Sequence, residues 1–169
     1  MAIDLAFTNE CRRRTDANTI WGFKEPEFAF LSNMYSCTVF GYRSSEHAYQ
    51  AAKTVSKIER QQIRETKTGY EAKKLGKTVT RRPEWKDDAF RINVMLTVVR
   101  EKFTKHPELA AKLLTTGLRE LVEGNAWGDS FFGVAWDRKT GEAHGENHLG
   151  KILMQVREEL RDGLKESVS

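Results

Sequence analysis

Cysteine is scarce in this sequence: Cys11 and Cys37 are the only two among 169 residues. Two cysteines make no disulfide framework, and neither stands at metal-ligand spacing from the four histidines. No metal site is expected, and a reducing, cytoplasmic setting is. No apolar run approaches the ~20 residues needed to cross a bilayer, so no membrane partner is expected. The first residues carry an acid at Asp4 and then Arg12, Arg13 and Arg14, which is not the pattern of a secretory leader. Low-complexity tracts and internal repeats are also missing, which argues against disorder and against a repeat architecture.

What is present suits one ordinary domain with its own core, since 39% of the residues are hydrophobic. The net charge of +4 and a pI of about 9.1 favour anionic ligands such as phosphates or nucleic acid. Lys and Arg alternate with Asp and Glu along most of the chain, so a mixed-charge surface is the plainer reading of the same numbers.

Residues 1–18 are polar and irregular and read as an extension. Residues 20–30 and 35–43 read as short strands, with Phe28 and Phe30 alternating with Glu27 and Ala29. Ser44 or Ser45 is a natural N-cap for a helix over 46–53. Further helices are predicted over 56–65 and 69–76, the latter ending at Gly76. Pro83 can open a long helix over 84–105, whose Trp85, Ala89, Ile92, Met95, Leu96, Val99 and Phe103 recur at core spacing. Pro107 starts a helix to 115, and Thr115-Thr116-Gly117 separates it from 118–122. Residues 123–147 form a glycine-rich loop whose Trp127, Phe131, Phe132 and Trp136 argue against disorder, with a short strand over 131–136. A final helix over 148–162 turns Leu149, Ile152, Leu153, Val156 and Leu160 to one face.

The most informative stretch is Ser45-Glu46-His47-Ala48-Tyr49-Gln50-Ala51-Ala52-Lys53. Glu46, Tyr49, Gln50 and Lys53 fall within an arc of about 100° on one helical face. Ala48, Ala51 and Ala52 lie on the other and permit close packing. Such a stripe can line a pocket for a polar, flat ligand, or it can be a solvated face with Glu46 well placed for the helix dipole.

Together with Phe30-Leu31-Ser32-Asn33 and Asn147-His148-Leu149-Gly150-Lys151-Ile152-Leu153-Met154-Gln155-Val156-Arg157, this stretch resembles the NADAR (YbiA-like) family. Met95, Lys102-Phe103, His106-Pro107-Glu108-Leu109, Thr116-Gly117, Leu121-Val122-Glu123 and Asp129 followed by Gly133 stand between them in the family's order. The resemblance covers about residues 22–162. It implies N-glycosidase chemistry without a cofactor. The substrates it implies are phosphoribosylamino-pyrimidine intermediates of riboflavin synthesis, or ADP-ribose carried on guanine.

Breaking an N-glycosidic bond builds positive charge on the sugar, which a carboxylate can stabilise or meet with an activated water. Glu46 is the first candidate, because it sits in the most specific motif and at a helix start that suits a charged carboxylate. Asp129 is the second, by analogy with paired carboxylates in glycoside hydrolysis, with a turn-forming Asp as its alternative. A flat base needs rings to stack on. Phe28, Phe30, Trp127 and Phe132 are candidates, and core packing is the alternative for each. Phe132, before Gly133, stands where the family pattern has Trp, so the indole donor is lost there. Tyr49 and Ser32 complete the lining. Asn33, Gln50 and Asn147 can read base or ribose edges, Asn147 equally being a helix cap. Lys53, Arg82 and Lys151 are phosphate candidates, with exposed ion pairing as the default. His47 reads as a core histidine bonded to a carbonyl.

The expected architecture is α+β: a single helix-rich YbiA-like domain over 19–165 with a small antiparallel sheet, preceded by the 1–18 extension. The pocket is expected where the 46–53 helix, Phe30–Asn33 and the 123–133 loop meet. The expected ligand is a small ribosyl-phosphate or ADP-ribosyl compound, with ADP-ribosylated nucleic acid as the rival substrate. A binding module for NAD-like or ADP-ribose ligands is the rival outside enzymes.

Overall fold

The computed structural model describes residues 4–168. In chain order, α1 (Leu5–Arg14) and β1 (Thr19–Trp21) precede a 3-10 turn at Ala29–Leu31. Helices α2 (Ser45–Ala52), α3 (Lys57–Glu65) and α4 (Gly69–Leu75) follow, then a second 3-10 turn at Pro83–Lys86 and α5 (Asp88–Lys105). The chain closes with α6 (Pro107–Thr115), β2 (Glu120–Val122), β3 (Gly124–Asn125), β4 (Val134–Trp136), β5 (Ala143–His144) and α7 (His148–Val168). These elements form two compact units: one takes the described residues up to Ser32 and from Glu108 onward, the other Asn33–Pro107.

The helix-rich α+β class expected from the sequence is what the elements make. The sheet differs from expectation. β1 pairs with β2 in parallel, and β3 with β4 in parallel; only β4 and β5 run antiparallel. A parallel pair needs a long crossover. Here β1 and β2 are separated by nearly a hundred residues, and the whole second unit lies within that connection. Local alternation cannot reveal a partner so distant in sequence.

In the first unit, α7 packs on β2. Phe7 and Cys11 of α1 share a buried cluster with Trp21 and Val122, with Ala126, Val134, Trp136 and Ala143 against it. Residues 1–18 are therefore not irregular throughout. α1 is capped by Asp4, whose carboxylate accepts the Phe7 N–H at 3.1 Å, and its last turn carries Arg12, Arg13 and Arg14 as the helix dipole favours. Burial pushes the Cys11 thiol up to about 12, so it behaves as a small apolar side chain.

The second unit is helical, with α2 packed against α3, α4 and α5. Capping by side chains sets each start: Ser44 for α2, Ser56 for α3, Thr68 for α4 and Asp87 for α5. The expected strand over 35–43 reduces to one bridge between Val39 and Tyr42, closed by left-handed Phe40 (φ 49°) and Gly41 (φ 74°). The expected strand over 20–30 ends at Trp21. Trp85 lies in a 3-10 turn and not in α5, because Asp87 caps that helix only from residue 88. α7 runs to 168, its last turns carrying Glu158–Arg161 and Asp162–Lys165 pairs at helical spacing. Among the described residues no helix is long and apolar enough to cross a membrane.

Candidate functional site

α2 is not a solvated helix. Every residue from Ser45 to Ala51 is buried, Glu46 with only 6% of its surface exposed. The Glu46 carboxylate accepts a hydrogen bond from the Gln50 amide, Nε2 to Oε1 at 2.6 Å, which fixes its orientation. Its backbone N–H donates to the Asn33 carbonyl at 3.0 Å, tying the 33–35 segment to the helix start. Lys53 continues the same face in a half-buried setting, its ammonium 5.8 Å from the Tyr49 ring centroid and 3.4 Å from the Gly76 carbonyl. Burial pushes the Lys53 ammonium down to about 8, with the Glu46 carboxylate pulling in the opposite direction. The sequence stripe of 46, 49, 50 and 53 is thus one electrostatic unit inside the protein.

The helix is held from its far side as expected. His47 accepts from the Ser44 hydroxyl at Nδ1, 2.7 Å, and donates from Nε2 to the Thr66 carbonyl at 3.3 Å. Desolvation lowers the His47 pKa, so the ring is a neutral core histidine.

Several contributors to this site were not evident from the sequence. Trp85 is buried with its ring 5.2 Å from Tyr49, adding an aromatic wall beside the stripe. Its signal was a Trp in the core periodicity, which periodicity alone assigns to packing. In the same unit, and not itself counted in the stripe, Lys102 is 1% exposed, its ammonium 5.6 Å from the Tyr35 ring centroid and 5.3 Å from that of Phe103. A lysine at an apolar register position of α5 was the legible sign. Asn33 donates from Nδ2 to the Met95 sulfur at 3.3 Å. Finally, α4 is bracketed by two glycines that admit α2. A Cβ on Gly76 would stand 2.0 Å from the Gln50 Oε1, and one on Gly69 2.6 Å from the Met34 sulfur. Gly76 caps the end of α4 as expected, and with an ordinary helical φ of −63° it also serves close approach.

Arg82 joins this unit through its backbone N–H, which donates to the Lys53 carbonyl at 2.8 Å. Its guanidinium stacks 4.9 Å from the Phe90 centroid and pairs with Glu84 at 3.2 Å. A separate apolar cleft of about 340 Å³ opens on the alanine side of α2, lined by Phe40, Tyr42, Ala48, Ala52 and Phe90 among others. It contains none of the stripe residues.

The remaining candidates lie in the first unit. Phe30 is buried in the 3-10 turn, and Ser32 closes that turn by donating its N–H to the Ala29 carbonyl at 3.1 Å. Asn125 organises the loop: its Oδ1 accepts from the N–H groups of Trp127 and Asp129 at 3.3 and 2.9 Å, and its Nδ2 donates to the Asp129 carbonyl. Asp129 Oδ1 in turn accepts from the N–H groups of Phe131 and Phe132 at 3.2 and 3.0 Å. That is the geometry of a turn-forming Asp. The Phe132 ring is half-buried and stands edge-on to Phe131 at 4.9 Å. A Cβ on Gly133 would lie 2.4 Å from the Glu123 carbonyl, so the loop lies tight on the strand. Asn147, left-handed at φ 54°, donates to the Leu121 carbonyl and accepts from the Glu123 N–H, both at 3.0 Å. Both ends of its amide are committed to backbone. Lys151 is exposed.

Among the described residues no three His, Cys, Asp or Glu side chains are grouped as a metal site.

The sequence model described as the NADAR domain matches residues 19–161. A riboflavin biosynthesis protein of Vibrio vulnificus is 39% identical over 148 residues, which is 83% of this chain; the chain spans only 38% of that relative's length. An N-glycosidase of Nostoc punctiforme is 39% identical over 142 residues, covering 81% of this chain and 82% of the relative. The solved structure of the Escherichia coli protein YbiA superposes with a TM-score of 0.73 at 29% identity, over 90% of each chain.

Proposed function

The chain belongs to the NADAR domain family, and from that premise we propose that it is an N-glycosidase hydrolysing the bond between a base nitrogen and the sugar of a ribose phosphate. The observation that carries this reading is the buried Glu46 carboxylate, held by Gln50 at 2.6 Å and followed along the same face by Lys53.

As the glycosidic bond breaks, its electron pair leaves with the base nitrogen and positive charge grows on the anomeric carbon. A carboxylate aimed by a short hydrogen bond in a dry setting stabilises that charge without having to reorganise. Glu46 then takes a proton from the water that adds to the anomeric carbon, and the departing nitrogen is protonated in turn. Lys53 supplies the cation for the sugar's phosphate, and Tyr49 with Trp85 supplies an aromatic wall. Asp129 enters as the residue that shapes the loop through Phe131 and Phe132, and Asn147 as the brace of β2 and β3. The domain doing this work is taken as 19–165.

We assign phosphoribosylamino-pyrimidine intermediates of riboflavin synthesis as the substrate class, in keeping with the name of the Vibrio relative. ADP-ribosylated guanine is the second reading, favoured by the pI of about 9.1. Incubating the protein with each substrate and following released base and sugar by mass spectrometry tests both. Release of the pyrimidine and ribose phosphate supports the first. Release of ADP-ribose from DNA with no action on the pyrimidine would transfer the assignment to the second. Inertness toward both would reduce the protein to a binding module.

A further inference from the structure

We propose that the apolar cleft on the alanine side of α2 is a binding site for a small aromatic carboxylate, a ligand of one or two fused rings bearing an anionic group. The cleft is separate from the Glu46 site, since none of the stripe residues line it. The N-glycosidase reading and this one therefore stand or fall apart.

Every lining residue belongs to the Asn33–Pro107 unit. The volume of about 340 Å³ suits a small-molecule pocket, for which roughly 300–1,000 Å³ is usual. Ala48 and Ala52, four residues apart on α2, share one helical face and make a flat floor. That floor is firm, because Ala48 shares a buried cluster with Val39 and Val98. Phe40, Tyr42 and Phe90 bring three rings to the walls, where a flat ring can pack edge-on or offset. Asn93 and Thr97 of α5 supply the polar groups. The Thr97 hydroxyl donates to the Asn93 carbonyl at 2.9 Å, so the Asn93 amide is the donor on that wall.

Two observations point to a ligand of this chemistry. The first is Phe40, whose φ of 49° is left-handed, a region that Gly, Asn and Asp enter easily and an aromatic residue does not. Reciprocal bonds between Val39 and Tyr42, at 2.9 and 2.8 Å, close the turn around it. Arg64 clamps the same turn by donating to the Gly41 carbonyl at 2.7 Å. The ring so presented is not core, for Phe40 is 48% exposed. Stability alone would favour Asn before Gly41. A strained backbone that sets an exposed ring at the edge of a cleft is the mark of a functional position. The second observation is charge. No lining side chain is charged. The exposed Arg64 guanidinium lies 4.1 Å from the Tyr42 ring centroid, and its hydrogen-bond partner is a neutral carbonyl. Arg82, 4.9 Å from the Phe90 centroid, is already paired with Glu84. The charge left uncompensated beside the rings is thus that of Arg64, and a carboxylate on the ligand complements it.

The test titrates the full chain, labelled with 13C at its alanine methyl groups, with 1-naphthoate, with its neutral amide and with octanoate. Naphthoate should move the Ala48 and Ala52 methyl resonances with a Kd of about 1 mM or tighter, as a ligand of that size allows. The neutral amide should bind about three- to fivefold more weakly, the worth of one exposed charge pair. Arg64→Gln, which can still donate to the Gly41 carbonyl, should abolish that difference. Phe40→Asn should weaken both aromatic ligands about tenfold through loss of a stacking ring. The same change should raise Tm by about 2–4 °C through relief of the turn. Methyl resonances that stay in place up to about 10 mM naphthoate overturn the site. Octanoate binding as well as naphthoate overturns the aromatic class, and equal affinity of acid and amide in the parent overturns the anionic group. Parent-like affinity in Phe40→Asn, or a Tm that falls, removes the role of the strained ring. Sedimentation that shows a dimer dissolved by Phe40→Asn puts a second copy in the cleft and overturns the proposal as well.

Discussion

Lys53 is the residue whose chemistry the structure most changes relative to its sequence. A lysine at a helix end is ordinarily a surface charge near 10.5. Here burial brings it down to about 8 beside the Glu46 carboxylate. The folded-state value lies below the unfolded one, so the unfolded chain binds the extra proton between about 8 and 10.5. This group's contribution to stability therefore rises with pH across that window. Function runs the other way. Below pH 8 the ammonium is charged and can hold a phosphate; above it the charge is lost. KM for a phosphorylated substrate should rise as pH passes through about 8, while KM for the dephosphorylated analogue stays flat. Lys53→Arg, which keeps its charge, should flatten the phosphorylated profile. A KM for the phosphorylated substrate that does not change between pH 7 and 9.5 would remove Lys53 from the phosphate site.

At the scale of elements, the pairing of α2 with α4 decides whether the stripe works. Gly76 lets α4 close on Gln50, and Gly76→Ala puts a methyl group 2.0 Å from the Gln50 Oε1. The amide must swing away from Glu46, so kcat is expected to fall about tenfold through lost orientation. Stability should drop by about 1–3 kcal/mol through overpacking. Adding Gln50→Ala should return the stability but not the turnover. Normal kcat in Gly76→Ala would show that the Gln50–Glu46 bond is dispensable. The helix itself, its serine cap and its stripe were legible in the sequence, because period and capping are local. The burial of the whole helix was not, since Ala48 and Ala51 reveal small size but not the three helices that surround them. Trp85 and Lys102 escaped for a related reason. Their register says only that they face inward, and part of what they meet there lies far off in sequence, Tyr49 for Trp85 and Tyr35 for Lys102. Asn147 and Asp129 each carried two readings in the sequence, a ligand contact or a local brace, and the structure shows their side chains bonded to backbone.

The chain makes two compact units, and in sequence the second falls between β1 and β2. The carboxylate proposed to act, Glu46, belongs to the helical unit, where it is oriented by Gln50 on the same helix. Glu46 is proposed to carry the chemistry and not merely the packing. Glu46→Gln tests it with little change of shape. Turnover of the phosphoribosylamino-pyrimidine by the purified variant should fall by about a hundredfold or more, as loss of a general base does, with Tm close to that of the parent. Near-normal turnover in the folded variant would remove Glu46 from the mechanism.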